Sequence, residues 1–316
     1  MSQRDSFMLE TPPIDPLSYR TDATVLCVDI GGTSTKAGLL DPTGQLTTLS
    51  SIDTQPDGDR FASSLCGLIE RTLTAARVAP RGIGIAVAGF LDSARTCLAY
   101  NPNLPWLEHF PLKQRLAEEF ALPIELEIDS NAACIAEYRF GFNQTPARFL
   151  CITAGTGMGV GMTINGDLLR FAYGCMGDPG HIIVDASGPA CSCGGRGCAE
   201  AIISAPALAE RYRVATLRDV IIAAEAGKPA AVEILREAGS ALGIAAASLA
   251  HIFFPDQIAI AGGLSAAGNL LMEPLEANFQ KAASHHARSQ TKISRAFLGP
   301  NATLIGAAWP FWGKLR

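Results

Sequence analysis

The chain has 316 residues, of which 48% are hydrophobic and 17% charged. This is enough for about two domains with substantial cores. Its 30 acidic residues outnumber 25 basic ones, for a formal net charge of -5, which argues against a nucleic-acid surface built from clustered Lys and Arg.

No targeting or membrane segment is visible in the sequence. The first 22 residues are polar and contain three prolines, without the apolar stretch of a signal peptide. No window of 18 uninterrupted apolar residues predicts a membrane span. We therefore expect a cytoplasmic protein without a membrane partner, and we expect residues 1–22 to form a flexible tail.

The first half predicts an α/β arrangement that begins with a meander. The apolar run Val25–Ile30 is typical of a buried strand and stops at two glycines. Strands at 36–40 and 45–51, separated by a strong turn signal, complete three antiparallel strands. Alternating helices and strands are then predicted at 61–79, 82–89, 112–120, 124–128 and 131–140.

The second half repeats this pattern. A strand at 149–154 ends in a glycine-rich turn, and a return strand reaches residue 164, where Asn-Gly-Asp predicts a hairpin turn. A helix, a strand and a final helix are predicted at 230–254, 258–261 and 302–311. The repeat predicts two α/β lobes facing across a cleft, one formed by 23–129 plus about 302–316 and the other by 130–301.

Three glycine turns follow predicted strands and suit a nucleotide cleft. Asp29 precedes Gly31, Gly32 and Thr33, and glycine lets backbone N–H groups approach phosphate while the carboxylate can hold hydrated Mg²⁺. The second turn is Gly155-Thr156-Gly157-Met158-Gly159, and the third is Gly262-Gly263. Each turn taken alone is most often only a tight turn. Neither a P-loop nor a dinucleotide-binding glycine motif is present.

Four residues have the spacing of a metal site. His181, Cys191, Cys193 and Cys198 follow the pattern H-x9-C-x-C-x4-C, and three thiolates with one imidazole suit tetrahedral Zn²⁺. Four protein ligands fill the coordination sphere, so the zinc is interpreted as structural. Cys175 is a spare thiol nearby, and the other cysteines lie singly in apolar runs that indicate a core position.

Together these motifs resemble the ROK family (repressors, open reading frames and kinases) over about residues 24 to 310. The cysteine pattern with Gly177-Asp-Pro-Gly-His181 is the most specific part, and Asn101-Pro-Asn103-Leu104 resembles a further family segment. The resemblance implies a two-lobed actin-like ATPase (ribonuclease H-like) fold with a structural zinc site. It also implies an ATP-dependent sugar kinase that uses Mg²⁺, and a homodimer is a fair expectation.

The resemblance assigns roles to individual residues. Asp129 would be the catalytic base that takes a proton from a sugar hydroxyl, generally the 6-hydroxyl, although the residues alone favour a helix N-cap there. His181 would bind zinc through one ring nitrogen and sugar through the other. The sugar would contact Asn103, Asp129, Asp178, His181 and Glu200. ATP would contact Asp29, Gly31, Gly32, Thr33, Lys36, Gly155, Thr156, Gly157, Gly159, Gly262 and Gly263. In this interpretation zinc shapes the sugar site without touching the phosphate.

Two residues depart from the family pattern on the sugar side. Ile128 replaces the usual Asn before the catalytic Asp, and Asp178 replaces a Glu and is one methylene shorter. A buried sugar hydroxyl left unpaired costs roughly 1–3 kcal/mol. We therefore expect glucose to bind poorly, or the true substrate to present different hydroxyls.

Three other functions are compatible with parts of the sequence. A sugar-responsive repressor needs a helix-turn-helix domain, and the proline-bearing residues before Val25 do not suit one. A non-catalytic sugar-binding protein would keep the fold without turnover. A kinase that uses an acyl phosphate or polyphosphate would keep the glycine turns, because these do not select the phosphoryl donor.

Overall fold

The structure is a computed structural model that describes residues 24–312. The tail predicted at 1–22 and the end of the predicted first lobe, 313–316, lie outside the described residues. The strands are β1 Val25–Ile30, β2 Ser34–Leu40, β3 Leu46–Asp53, β4 Ile83–Val87, β5 Phe90–Leu91, β6 Leu98–Tyr100, β7 Ile124–Ile128, β8 Arg148–Ala154, β9 Met158–Ile164, β10 Asp167–Leu168, β11 Gln257–Ala261 and β12 Lys292–Arg295. The helices are α1 Gly58–Thr74, α2 Leu112–Glu119, α3 Asp129–Ala136, α4 Ala199–Ile203, α5 Ala205–Tyr212, α6 Leu217–Glu225, α7 Pro229–Phe253, α8 Asn269–Ala282, α9 His285–Gln290 and α10 Ala302–Gly306.

The first sheet has the strand order β3-β2-β1-β4-β7. β1, β2 and β3 are antiparallel neighbours, which confirms the predicted meander. β4 and β7 run parallel to β1, and β4 is buried at every position, as expected for a parallel strand covered on both faces. The carboxyl ends of β1, β4 and β7 therefore lie at one edge of the sheet.

Helices cover both faces of this sheet. α1 and α2 contribute Phe61, Leu65 and Leu116 to the core on one face, and α10 packs Leu304 on the other. α1 begins three residues before the predicted start because the Asp57 side chain accepts a hydrogen bond from Arg60 N–H at 2.9 Å, which satisfies a free donor at the helix end.

The second sheet repeats the topology of the first. Its order is β10-β9-β8-β11-β12, with β9 antiparallel to β8 and β10 and with β11 and β12 parallel to β8. The predicted hairpin turn joins β9 and β10, where Asn165 and Gly166 both have positive φ, 52° and 90°, as a type I′ turn requires. The two-sheet α/β architecture is thus confirmed, while the assignment of residues to lobes stays a prediction.

The long helix α7 packs closely on α8. A Cβ at Gly239 would lie 2.4 Å from Leu271 O, and one at Gly243 would lie 2.3 Å from Leu275 O. Glycine at these two positions therefore lets the α8 backbone approach α7. The helix was predicted at 230–254, one residue away at each end.

α3 lies between the two sheets and contacts both. Its Ala132 carbonyl would be 1.8 Å from a Cβ at Gly306 of α10, and its Cys134 Cβ would be 2.6 Å from a Cβ at Gly161 of β9. The regular helix ends at Ala136, before the predicted residue 140, and continues as a π-helical turn. There the Glu137 carboxylate accepts hydrogen bonds from two backbone N–H groups after β12.

Several elements escaped sequence analysis. α4, α5, α6, α8 and α9 lie between the cysteine cluster and the end of the chain, and the two-residue strands are too short to show periodicity. Among residues 24–312, no helix combines the length and the apolar character needed to cross a bilayer.

Candidate active site

The first glycine turn closes directly after β1. Gly31 N–H donates to Ser34 O at 3.1 Å, and Gly32 and Thr33 at the tip are exposed. A Cβ at Gly32 would meet no atom of the described residues within 4 Å. The packing of the protein therefore does not demand glycine there, whereas close approach of a phosphate to the backbone would.

Asp29 lies beside this turn, and its pKa is influenced by the carboxylate of Asp129. It is the register partner of Lys36 on β2. Burial and the negative charge of Asp129 raise the pKa of Asp29 to about 6, while Lys36 acts to lower it. The two carboxylates therefore lie at the same sheet edge, at the ends of β1 and β7, where oxygen ligands of this kind suit Mg²⁺.

The second glycine turn joins β8 and β9. Gly155 N–H donates to Gly157 O at 2.9 Å, and Thr156 is exposed at the tip. A Cβ at Gly155 would meet no described atom within 4 Å, whereas one at Gly157 would lie 2.4 Å from Glu200 Oε2. Gly155 thus leaves open space for a ligand, and Gly157 allows the close approach of Glu200.

The remaining predicted glycines have a packing role that sequence analysis did not anticipate. Gly159 lies within β9, and a Cβ there would be 2.8 Å from Ser130 Cβ on α3. Gly262 has a φ of 86°, and a Cβ there would be 2.3 Å from Ala154 O. Packing accounts for glycine at both positions, and their contact with nucleotide stays a prediction, as does that of Gly263.

Asp129 lies at the junction of β7 and α3. Ile128 has the extended backbone of an N-cap, with φ −73° and ψ 139°, and Asp129 is the first helical residue. The alternative that Asp129 is itself the N-cap is therefore wrong. Its Oδ1 accepts a hydrogen bond from Ser130 N–H at 2.7 Å. Burial raises the pKa of Asp129, and the hydrogen bond from Ser130, which acts to lower it, offsets only part of this effect. A raised pKa suits a carboxylate that accepts a proton.

The four predicted metal ligands come together. Their ligand atoms all lie within 4.8 Å of one another. Cys191 Sγ is 3.5 Å from His181 Nδ1, and Cys193 Sγ is 3.7 Å from Cys198 Sγ. Tetrahedral zinc bound at usual lengths separates two sulfurs by about 3.8 Å, and a sulfur from a nitrogen by about 3.5 Å. Both observed distances fit such a site.

Of the predicted sugar residues, Asp178 lies beside the other ring nitrogen of the histidine. His181 Nε2 points away from the cysteines and lies 3.4 Å from Asp178 Oδ2. Asn103 is exposed, and its backbone N–H donates to the side chain of Asn101 at 2.8 Å. The buried Asn101 also donates to Ala88 O at 2.7 Å. Asn101 thus holds the loop of Asn103 in place, a role that sequence analysis missed.

Glu200 connects the cysteine cluster to the second glycine turn. It lies on α4, whose N-cap is Cys198, and its Oε2 accepts a hydrogen bond from Met158 N–H at 2.8 Å. No partner for its Oε1 is found between residues 24 and 312, so this oxygen is available to a ligand. Glu200 thereby supports the second glycine turn, and the expectation that zinc shapes the sugar site without touching the phosphate stays a prediction.

A buried ionic cluster lies directly behind Asp129. Glu127 on β7 is 1% exposed, and its Oε2 pairs with Arg95 at 3.0 Å and with Arg170 at 2.5 Å. Its Oε1 accepts from Asn131 Nδ2 at 3.0 Å. Burial alone would raise the pKa of Glu127, but the guanidinium groups of Arg170 and Arg95 hold it below its ordinary value.

No local pattern predicts this cluster, although the sequence contains one signal of it. Glu127 is a lone carboxylate between two apolar residues near the end of a buried strand, and a buried charge in such a position requires partners. The partners come from the β5–β6 connection and from the segment after β10, and no local pattern identifies them.

Comparison with known proteins agrees with this geometry. The model of the ROK family matches residues 25–313. The chain belongs to the ROK family. A glucokinase of Halalkalibacterium halodurans is 30% identical over 92% of this chain and 95% of its own length. The crystal structure of a ROK family glucokinase from Streptomyces griseus in complex with glucose and AMPPNP is 31% identical, with a TM-score of 0.82 over 91% of this chain and 98% of its own.

The family also contains regulators. A xylose repressor of Bacillus subtilis is 27% identical over 71% of this chain, and the match spans 59% of the repressor. This ROK protein resembles the glucokinases over nearly the whole length of both chains. The expectation of a carbohydrate kinase is thus confirmed at the level of enzyme class.

Proposed function

We propose that this ROK protein transfers the γ-phosphate of Mg-ATP to a hydroxyl, the 6-hydroxyl in our expectation, of a hexose or hexose derivative. The observation that carries the proposal is the position of Asp129 at the same sheet edge as Asp29 and the first glycine turn. The glucokinase of Streptomyces griseus, which binds glucose and the ATP analogue AMPPNP, supports both substrate classes.

Asp129 is the proposed general base. The acceptor oxygen attacks the γ-phosphorus, the bond between that phosphorus and the bridging oxygen of ADP breaks, and the hydroxyl proton passes to Asp129. The products are ADP and the sugar phosphate, and the proton later leaves to solvent. The raised pKa of Asp129 favours proton acceptance, while positioning and electrostatics carry most of the rate acceleration in phosphoryl transfer.

The two exposed glycine turns are the proposed phosphate cradle. A Cβ at Gly32 or Gly155 would meet no described atom within 4 Å, so both turns leave room for phosphate next to the backbone, and Thr33 and Thr156 place hydroxyl groups at the two tips. Asp29 would hold hydrated Mg²⁺, which neutralises charge on the phosphates when bound. Lys36, the neighbour of Asp29, adds a positive charge at this edge.

The cysteine cluster would hold a structural zinc ion. The donor set of three thiolates and one imidazole and the spacing of its atoms fit tetrahedral Zn²⁺. With zinc held by Nδ1 of His181, its Nε2–H would be free to donate to a sugar hydroxyl or to Asp178. The bound ion would also stabilise the loop from which Glu200 extends.

The sugar specificity differs from that of a glucokinase in this proposal. Ile128 is 3% exposed and offers no hydrogen-bonding group, and Asp178 reaches His181 only at 3.4 Å. A glucose hydroxyl that needs an amide at position 128 stays unpaired there and costs roughly 1–3 kcal/mol. We therefore expect low efficiency with glucose.

The test is turnover of ATP in a coupled assay across a panel of hexoses, N-acetylhexosamines and glycosides. We expect one sugar class to exceed glucose in kcat/KM by at least tenfold. Glucose as the best substrate contradicts the proposed specificity. Absence of turnover with ATP and every sugar contradicts the proposed reaction, and turnover with polyphosphate alone assigns another phosphoryl donor.

A further inference from the structure

Three aromatic rings form an exposed surface, here called the aromatic shelf, made of Phe90, Tyr100 and Tyr173. Phe90 stacks on Tyr100 with ring centroids 6.0 Å apart and planes 16° apart, and it lies 5.9 Å from Tyr173. Tyr100 is 52% exposed and Tyr173 is 59% exposed. Phe90 is partly buried against the core of the first sheet, so the exposed part of the shelf consists of the two tyrosine rings. Clustered exposed aromatic rings of this kind indicate a binding surface.

The shelf lies beside the proposed catalytic base. Gly174, the neighbour of Tyr173, accepts a hydrogen bond from Asn131 Nδ2 at 2.8 Å. A Cβ at Gly174 would lie 3.6 Å from Ile128 Cδ1. The turn that carries Tyr173 therefore contacts the residue directly before Asp129.

On its other side the shelf adjoins the loop that contains Asn103. Tyr100 ends β6, and the next residue is Asn101, whose carboxamide oxygen accepts from Asn103 N–H. The shelf thus lies between the Asn103 loop and the Asp129 junction, the two places from which the acceptor sugar is expected to be bound.

The backbone also presents Tyr173 in an uncommon way. Its φ is 59°, in the left-handed region that non-glycine residues seldom occupy. The surrounding structure holds the backbone in this conformation, because the next residue, Gly174, is fixed by its contacts with α3 and Ile128. Local strain of this kind concentrates at ligand-binding sites.

The chemistry of the shelf selects the kind of group that binds there. A pyranose ring has an apolar face of C–H groups, and a tyrosine ring packs on it while the phenol O–H bonds a hydroxyl at the rim. A simple acyl chain would gain nothing from the two phenol groups.

We infer that the acceptor is a glycosylated hexose, a disaccharide in the simplest case, whose second sugar ring stacks on the aromatic shelf while the first ring is phosphorylated at Asp129. This inference rests on the proposed function. It makes Tyr100 and Tyr173 specificity-determining residues, and it explains why Ile128 does not need the amide that would bind a hydroxyl of a free hexose.

The experiment compares glucose with maltose, cellobiose and phenyl β-glucoside as acceptors of the full-length protein. Turnover is measured in a coupled ATP assay, and binding is measured by calorimetry without ATP. Tyr100→Ala and Tyr173→Ala are compared with Phe171→Ala. Phe171 is the matched control because it is 58% exposed near the same turn and has no ring contact with the shelf among residues 24–312.

We expect a glycoside to have a lower KM than glucose. Each tyrosine variant should raise KM for that glycoside about five- to tenfold, the usual size of one aromatic stacking contact, and should leave kcat and the glucose KM unchanged. Phe171→Ala should change neither. A thermal unfolding curve for each variant identifies any loss of folding.

Other results overturn the inference. Glucose or an N-acetylhexosamine preferred over every glycoside would do so, as would equal glycoside KM values in the wild type and both tyrosine variants. If no sugar is phosphorylated but calorimetry still detects glycoside binding that Tyr173→Ala weakens, the proposed reaction fails and the second-ring site stands.

Discussion

The Glu200 carboxylate accepts a hydrogen bond from the N–H of Met158 at 2.8 Å. Because Cys198 caps the helix that carries Glu200, this bond connects the metal cluster to the turn proposed to hold phosphate. Folding of the cysteine loop and geometry of the glycine turn are therefore linked. In the proposed function, the phosphate-binding turn is thus supported by a residue that directly follows the cysteine cluster.

Glu200→Ala should weaken nucleotide binding as well as sugar binding. A hydrogen bond to a carboxylate contributes about 1.5–3 kcal/mol, so we expect KM for ATP to rise about tenfold to a hundredfold. Steady-state kinetics with each substrate varied in turn measure the effect. Glu225→Ala, at the exposed end of α6, is the control. A change confined to KM for the sugar would show that the bond to Met158 does not matter.

Cys198→Ser should abolish zinc binding and lower stability. Structural zinc sites contribute directly to folding free energy, so purified wild-type protein should contain one zinc per chain and the variant none, with a lower unfolding temperature. Metal analysis and thermal unfolding measure both quantities. Cys66→Ser should keep the metal, because Cys66 lies on α1 and packs, partly buried, against the core of the first sheet. Wild-type protein free of zinc would refute a structural ion.

Asp129→Asn should leave the fold intact and remove catalysis. General-base catalysis contributes about 10²–10⁴-fold, and we expect kcat to fall by at least 10³ while KM for ATP stays within a few-fold. The zinc content should not change. A variant that retains a tenth of the wild-type kcat would assign the proton acceptor elsewhere.

Glu127→Gln should destabilise the protein in a pH-dependent way. Removal of one partner from a buried ion pair costs about 3–5 kcal/mol, and here Arg95 and Arg170 would both lose their carboxylate. Since the native pKa of Glu127 is lowered, its contribution is present above the unfolded pKa of about 4.3 and is lost as pH falls through the native value.

Urea unfolding between pH 7 and pH 3 checks this expectation. The gap in unfolding free energy between wild type and Glu127→Gln should be largest at neutral pH and should shrink as the solution becomes acidic. Glu125→Gln is the matched control on the same strand, because Glu125 pairs with Lys113 at a partly exposed site, where such pairs contribute about 0–1 kcal/mol. A gap that does not vary with pH would contradict the role assigned to Glu127.

Local patterns predicted much of this protein correctly. The strand Ile124–Ile128 was predicted residue for residue, and α7 to within one residue at each end. Both predictions succeed because the spacing of apolar side chains along a buried strand or a long helix follows the period of that element. The clustering of His181, Cys191, Cys193 and Cys198 could also be predicted, since three of these residues lie within eight positions of one another; zinc binding itself stays a prediction.

Other features depend on contacts between distant segments, and only the tertiary structure decided them. Glu127 meets Arg95 and Arg170 from 32 and 43 residues away, Glu200 reaches Met158 across 42 residues, and Phe90 meets Tyr173 from the opposite half of the chain. Gly159 lies in a sequence typical of a phosphate turn, yet a Cβ at this position would clash with α3, so helix packing already requires glycine there. The sequence alone determined which chemical groups are available and which elements carry them. Their partners follow from how two sheets and the helix between them pack, which no short window of sequence encodes.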